Sequence, residues 1–252
     1  MTSEIAIMNR QAAVLAADSA GTVTAWVNGR EEKRYFKGEN KIFQCSDHHP
    51  VGLMTFGNAD LQRNPWELIV KTFRSSLGDK SFNDIADYAT ELFDFINQNV
   101  DIFPYKDRDL FFVAKVVEVC LKYLFAAHDD DVVKAASDER SKKEAYSTFL
   151  AKKWDLIDSC SFSEPFYQKD IDHAMATHGT EIEKQVATVL ENLKINGLVH
   201  CRELCKLSVA ALLKQYPNHL PETGIVVAGY GDKDYLPRLV EYRCYGNFLG
   251  NV

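Results

Sequence analysis

Met1-Thr2-Ser3-Glu4-Ile5-Ala6-Ile7-Met8-Asn9-Arg10-Gln11-Ala12-Ala13-Val14-Leu15-Ala16-Ala17-Asp18 reads as a β-hairpin that starts beside a hydroxyl and closes on a carboxylate. Ile5 and Ile7 alternate with smaller residues, Asn9 to Gln11 form a polar turn, and Ala13 to Ala17 are an apolar run of strand length. Glu4 stands where a secretory leader would carry positive charge, and Asn9-Arg10-Gln11 breaks the apolar positions. The hairpin is therefore expected to stay in the mature chain.

Thr2 is a small second residue of the kind from which the initiator Met1 is usually removed. Removal would leave a threonine with both a hydroxyl and a free α-amine. That amine, with a pKa of roughly 7.7 to 8.0 in model peptides, can take the hydroxyl proton and make threonine a nucleophile near neutral pH.

Three features further along bear on this reading. Asp18 follows Thr2 by sixteen residues, Lys41-Ile42-Phe43 opens the next apolar run, and Gly52-Leu53-Met54-Thr55-Phe56-Gly57-Asn58-Ala59-Asp60 closes a strand on glycine before a helix. Singly, each has a plain structural role: Asp18 as a turn residue, Lys41 as an edge-strand charge, Gly57 as a strand terminator. Together and in this order, with Leu15-Ala16-Ala17-Asp18 intact, they resemble proteasome β subunits and their bacterial relatives. Those proteins are N-terminal-nucleophile (Ntn) hydrolases.

The resemblance implies Thr2 as nucleophile, Lys41 as the cation beside its hydroxyl, Asp18 as the carboxylate orienting the lysine, and Gly57 as the backbone donor to the oxyanion. It also implies a peptide or other amide substrate, no cofactor, assembly as a homo-oligomer, and work alongside an unfolding ATPase. Lys41 lies 39 residues after Thr2 (41 − 2), a longer interval than the family usually has. Thr22 to Val27 and Glu31 to Phe36 flank Asn28-Gly29, a strong hairpin signal, so an extended ribbon accounts for the extra residues. Lys33, the competing lysine, lies inside that ribbon and lacks the Ile-Phe context.

Composition narrows the classes. With 252 residues, 46% of them hydrophobic, the chain can build one large domain or two small ones. A net charge of −7 without a Lys/Arg run argues against nucleic-acid binding, and no apolar stretch reaches the roughly 18 residues of a membrane span. Cys45, Cys120, Cys160, Cys201, Cys205 and Cys244 have no framework spacing, which suits reduced thiols in a cytoplasmic protein. His200-Cys201-Arg202-Glu203-Leu204-Cys205 lacks a second ligand pair at zinc spacing, and Asp129-Asp130-Asp131 lacks the glycine of a calcium loop, so no metal is expected. Gly229-Tyr230-Gly231 sits between strands and lacks the third glycine of a dinucleotide fingerprint.

After Asp60 the period becomes helical. Asn64-Pro65-Trp66-Glu67 starts one helix, with Trp66, Ile69, Val70 and Phe73 on its inner face. A second is read from Ser81, with Asp84 as a weak capping-box partner. Four more helices are read over 109–125, 137–154, 170–193 and 198–216, where a proteasome subunit has a short connection. Strands resume at Gly224-Ile225-Val226-Val227-Ala228-Gly229 and Leu236 to Tyr242, matching a family strand pair, and the sequence ends at Val252 before the family's second helix pair.

The expectation is an α+β Ntn sandwich with a large helical insertion, either lacking the C-terminal part of the sandwich or completing it differently. It divides as 1–99 (hairpins and helix pair), 100–219 (insertion) and 220–252 (returning strands). Its expected function is that of a threonine-type peptidase or amidase; the alternative is a non-catalytic Ntn-like scaffold whose helical insertion binds a partner.

Overall fold

The computed structural model describes residues 3–27 and 30–252; Thr2 and the Asn28-Gly29 turn lie outside the described residues. The chain is of mixed α+β type and divides into two compact units, one of residues 1–104, 221–250 and 252, the other of 105–220 and 251.

In the first unit, β1 (Glu4–Met8) and β2 (Ala13–Ala17) form the opening hairpin, with Glu4 opposite Ala17 and Met8 opposite Ala13. Asn9 builds its turn: the side-chain oxygen accepts from the N–H of Gln11 at 2.7 Å and of Ala12 at 3.0 Å. A second ribbon, β3 (Ala20–Val27) with β4 (Arg30–Lys37), forms a two-stranded sheet of its own.

The main sheet is antiparallel and contains β5 (Ile42–Gln44), β6 (Val51–Gly57), β9 (Thr223–Gly229) and β10 (Arg238–Cys244) in the order β10-β9-β6-β5. Every residue of β9 is buried, as its unbroken apolar run requires of a central strand covered on both faces. Between β6 and the helices, β7 (Asp60–Leu61) and β8 (Asn64–Pro65) make a short bridge around Gln62 and Arg63, both at positive φ.

Alternation along the strands separates two faces. Leu53, Ile225 and Val227 join the core formed by α1 (Trp66–Leu77) and α2 (Ile85–Gln98), including Trp66, Phe73 and Leu92. The opposite face carries Gly52, Met54 and Phe56. There Leu15 of β2 comes within 3.3 Å of where a Cβ on Gly52 would stand, and Phe56 lies over Gly224, leaving no room for a side chain. Helices, sheet and first hairpin thus stack as three layers.

The α2 helix begins later than Ser81. Asp84 is itself the N-cap, accepting from the Ala86 N–H at 2.9 Å, while Ser81 donates to Asp232. Likewise Pro65 is paired in β8 and stands before α1 instead of opening it.

Gly57 closes β6 at φ +86, and a Cβ there would sit 2.7 Å from the Glu222 carbonyl oxygen. Gly57→Ala combines left-handed strain with that clash, and is expected to destabilise the unit by about 2 to 3 kcal/mol, read as a lower urea midpoint at unchanged slope.

The second unit is helical: α3 (Tyr105–Asp129), α4 (Asp131–Ala135), α5 (Glu139–Ser159), α6 (Gln168–Asn192), α7 (Cys201–Lys214) and a 3-10 turn at Tyr216–Asn218. Asp138 caps α5 in a capping box with Ser141. The core lies where α3, α6 and α7 meet, with Val116, Leu124, Ile182, Val186, Leu204 and Leu212 all buried.

Candidate active site

The first hairpin closes where its two ends meet: the Asp18 N–H donates to the Ser3 carbonyl at 3.0 Å, and the Asp18 carboxylate accepts from the backbone N–H groups of Ser3 and Ala20. The residue after Thr2 is therefore tied to Asp18 in both directions. Lys41 immediately precedes β5, and its carbonyl accepts from the Thr55 N–H of β6 at 2.8 Å. From there its Nζ donates to Asp18 Oδ1 at 2.5 Å and to Glu4 Oε1 at 3.4 Å. Its side chain is only 3% exposed, that of Asp18 33%.

Burial draws the Lys41 pKa down, but the hydrogen bond and charge of Asp18, reinforced by Glu4, outweigh it and leave the ammonium above its ordinary value. The bond from Lys41 holds the Asp18 carboxyl below the usual carboxylate range. Glu39 moves the other way: burial raises it, helped by the charges of Asp18 and Glu4 and opposed by Lys41. Three carboxylates thus surround one ammonium.

These shifts fix a pH dependence. Asp18, lowered on folding, contributes stability present above the ordinary carboxylate pKa and lost as pH falls through its lowered value. Lys41, raised, contributes stability present below its ordinary value and lost as pH climbs through the raised one. The thermal midpoint should be flat between about pH 5 and 9 and fall on either side. Glu39→Gln removes a half-buried charge, so at pH 7 it should raise the midpoint by about 1 to 2 °C. That gain should vanish in acid, where Glu39 itself takes up a proton; a loss of stability at pH 7 would contradict the assignment.

Chain and topology thus join Asp18 and Lys41, 23 residues apart. They add Glu4 and Glu39, which the sequence reading missed. Glu4 had one signal: it pairs with Ala17, the neighbour of Asp18, on a strand whose other inward positions are small or apolar. Lys33 is exposed on β4 opposite Thr24, within the separate ribbon. Gly57 ends β6 two residues beyond the Thr55 rung, and Thr2 lies outside the described residues.

The chain matches no family model, no curated protein and no solved structure.

Cys120 Sγ donates to Ser208 Oγ at 3.1 Å, and Cys205 bonds to both Cys120 and Cys201. Burial pushes the Cys201 thiol up to about 12, which removes the reactive thiolate at neutral pH. Among the described residues, no group of three or more His, Cys, Asp and Glu could hold a metal ion. None of the described helices is long and apolar enough to cross a membrane.

Proposed function

We propose that the first unit is the catalytic part of an Ntn-type sandwich, and that the protein cleaves peptide or other amide bonds with Thr2 as its nucleophile. The observation that carries this reading is the buried Lys41 paired with Asp18 at the foot of the first hairpin, with Ser3 bound to the same aspartate. A cation held next to the start of the chain is the group that an N-terminal threonine needs beside its hydroxyl.

The electrostatics support a division of roles. Lys41, raised above its ordinary value, stays cationic at neutral pH and cannot be the base. Proton transfer falls to the α-amine of Thr2 once Met1 is gone, while Lys41 lowers the energy of the forming alkoxide. The surplus of carboxylates over ammonium around Lys41 suits a second cation such as that terminal amine. By alternation along β6, the Gly57 N–H is directed to the same edge as that of Thr55, which faces Lys41. That is the edge from which a donor to the oxyanion would act.

In sequence, Thr2 Oγ attacks the carbonyl carbon as its proton passes to the amine. The tetrahedral oxyanion collapses, and the same proton leaves with the departing amine. Water, deprotonated by the α-amine, then adds to the ester carbonyl, the acyl–Oγ1 bond breaks, and the amine returns the proton to Thr2 Oγ1.

The outer face of the first hairpin exposes Ile5 (56%), Ile7 (64%) and Val14 (56%). Such a face favours a further layer of the sandwich or a second copy of the chain, in keeping with a homo-oligomer that receives substrate from an unfolding ATPase. Two measurements test the proposal: intact mass of protein from its own host, expected to show Met1 absent, and hydrolysis of fluorogenic peptides, expected to vanish in Thr2→Ala. Retained Met1 would end it.

A further inference from the structure

We propose that the cleft between α5 and α7 is a binding site for an uncharged, largely apolar small molecule with a polar end, a ligand of the alkyl-alcohol or sterol-like class. The cleft lies wholly within the helical unit and has a volume of about 580 Å³, within the range of small-molecule sites.

Its walls follow from how the two helices run. At one end, Glu139 Oε1 lies 3.6 Å from the Cβ position of Gly197, just before α7. At the other, Lys214 Nζ donates to the carbonyls of Ile157 at 3.1 Å and Asp158 at 3.0 Å. The helices are therefore parallel. The lining stripe of α5 recurs every three or four residues, polar over its first turns and apolar from Leu150 through Ala151 to Trp154. Opposite it, Val199, Leu204 and Leu207 make a buried floor.

Charge selects the ligand class. Arg140, Lys143 and Lys206 on the rim are balanced by Glu144, Asp155 and Glu203, three against three. Arg140 is already bonded to Glu144 at 3.1 Å. A charged ligand would meet as much repulsion as attraction and lose hydration on entry, whereas a neutral one loses little and covers the half-buried Leu150 and Trp154. A hydroxyl at the polar end has Ser147 within the lining as a partner.

The test is titration of the full chain with 1-decanol, 1-octanol, decanoate and decylamine, read by isothermal calorimetry. Decanol is expected to bind saturably with one site. Octanol should bind about fifteenfold more weakly, about fourfold for each of two methylenes lost. Both charged probes should be at least tenfold weaker than decanol. Ala151→Trp, at an exposed position of α5, fills the cleft without disturbing the core and should abolish binding while leaving the helical circular dichroism unchanged. No saturable decanol binding, undiminished binding in Ala151→Trp, or a charged probe binding as tightly as decanol would each overturn the proposal.

Discussion

Replacing Lys41 by methionine is expected to lower peptide hydrolysis about a thousandfold while leaving the first unit folded. A thousandfold corresponds to about 4 kcal/mol of lost transition-state stabilisation. The accompanying loss of stability is smaller. Breaking a fully buried pair costs about 3 to 5 kcal/mol, but the Asp18 carboxylate reaches solvent and can rehydrate once its partner is gone, so about 2 kcal/mol is the appropriate figure. A domain stable by about 5 to 15 kcal/mol survives that. Inactivity with a cooperative unfolding transition would therefore separate chemistry from folding. Lys41→Arg should recover only part of the rate, because a planar guanidinium cannot take the place of a compact ammonium bonded at 2.5 Å to Asp18. Full activity in Lys41→Met would remove the residue from the mechanism.

The second large effect is on stability. Trp66 is 1% exposed at the start of α1, packed in the core between helices and sheet. Its indole N–H donates to Thr223 Oγ1 at 3.1 Å, tying the helix to the central strand β9. Trp66→Ala is expected to cost about 4 kcal/mol, from lost burial and the cavity left behind. No further penalty arises at Thr223, whose hydroxyl still donates to the Asn58 carbonyl at 3.3 Å. The thermal midpoint of the first unit should fall by roughly 15 °C, and Trp66→Phe by about half as much. A fall below a few degrees would mean that the sheet does not depend on α1.

The first hairpin was legible because two local signals agree: strand alternation on either side, and an Asn9 whose side chain can cap its own turn. Helix positions were legible from their apolar stripes, but their ends were not. The start of α2 depends on whether Asp84 caps or merely follows, and its bond to Ala86 decides for capping. The β7–β8 bridge was hidden because its positive-φ residues are Gln62 and Arg63, with no glycine to mark a turn. Nor could the sequence tell that the β3–β4 ribbon stays apart from the four-stranded sheet, since alternation gives a strand without its partner.

At the candidate site, Asp18 and Lys41 could be named in advance because Leu15-Ala16-Ala17-Asp18 and Lys41-Ile42-Phe43 stand in the order and context that the resemblance implies. Glu4 and Glu39 could not: isolated glutamates look alike until the register places one opposite Ala17 and packing half-buries the other. The helical unit shows the same limit. Along α5 the charged residues read as a solvated face, and only the parallel course of α7 turns them into the rim of a cleft.

The most direct measurement is incubation of the purified protein with a threonine-directed β-lactone, followed by intact-mass and peptide-level mass spectrometry. An Ntn hydrolase with Thr2 at its mature N-terminus should gain one acyl group per chain, mapped to Thr2, lost in Thr2→Ala and strongly slowed in Lys41→Met. A chain that remains unmodified, or one acylated equally well without Thr2, would contradict the account.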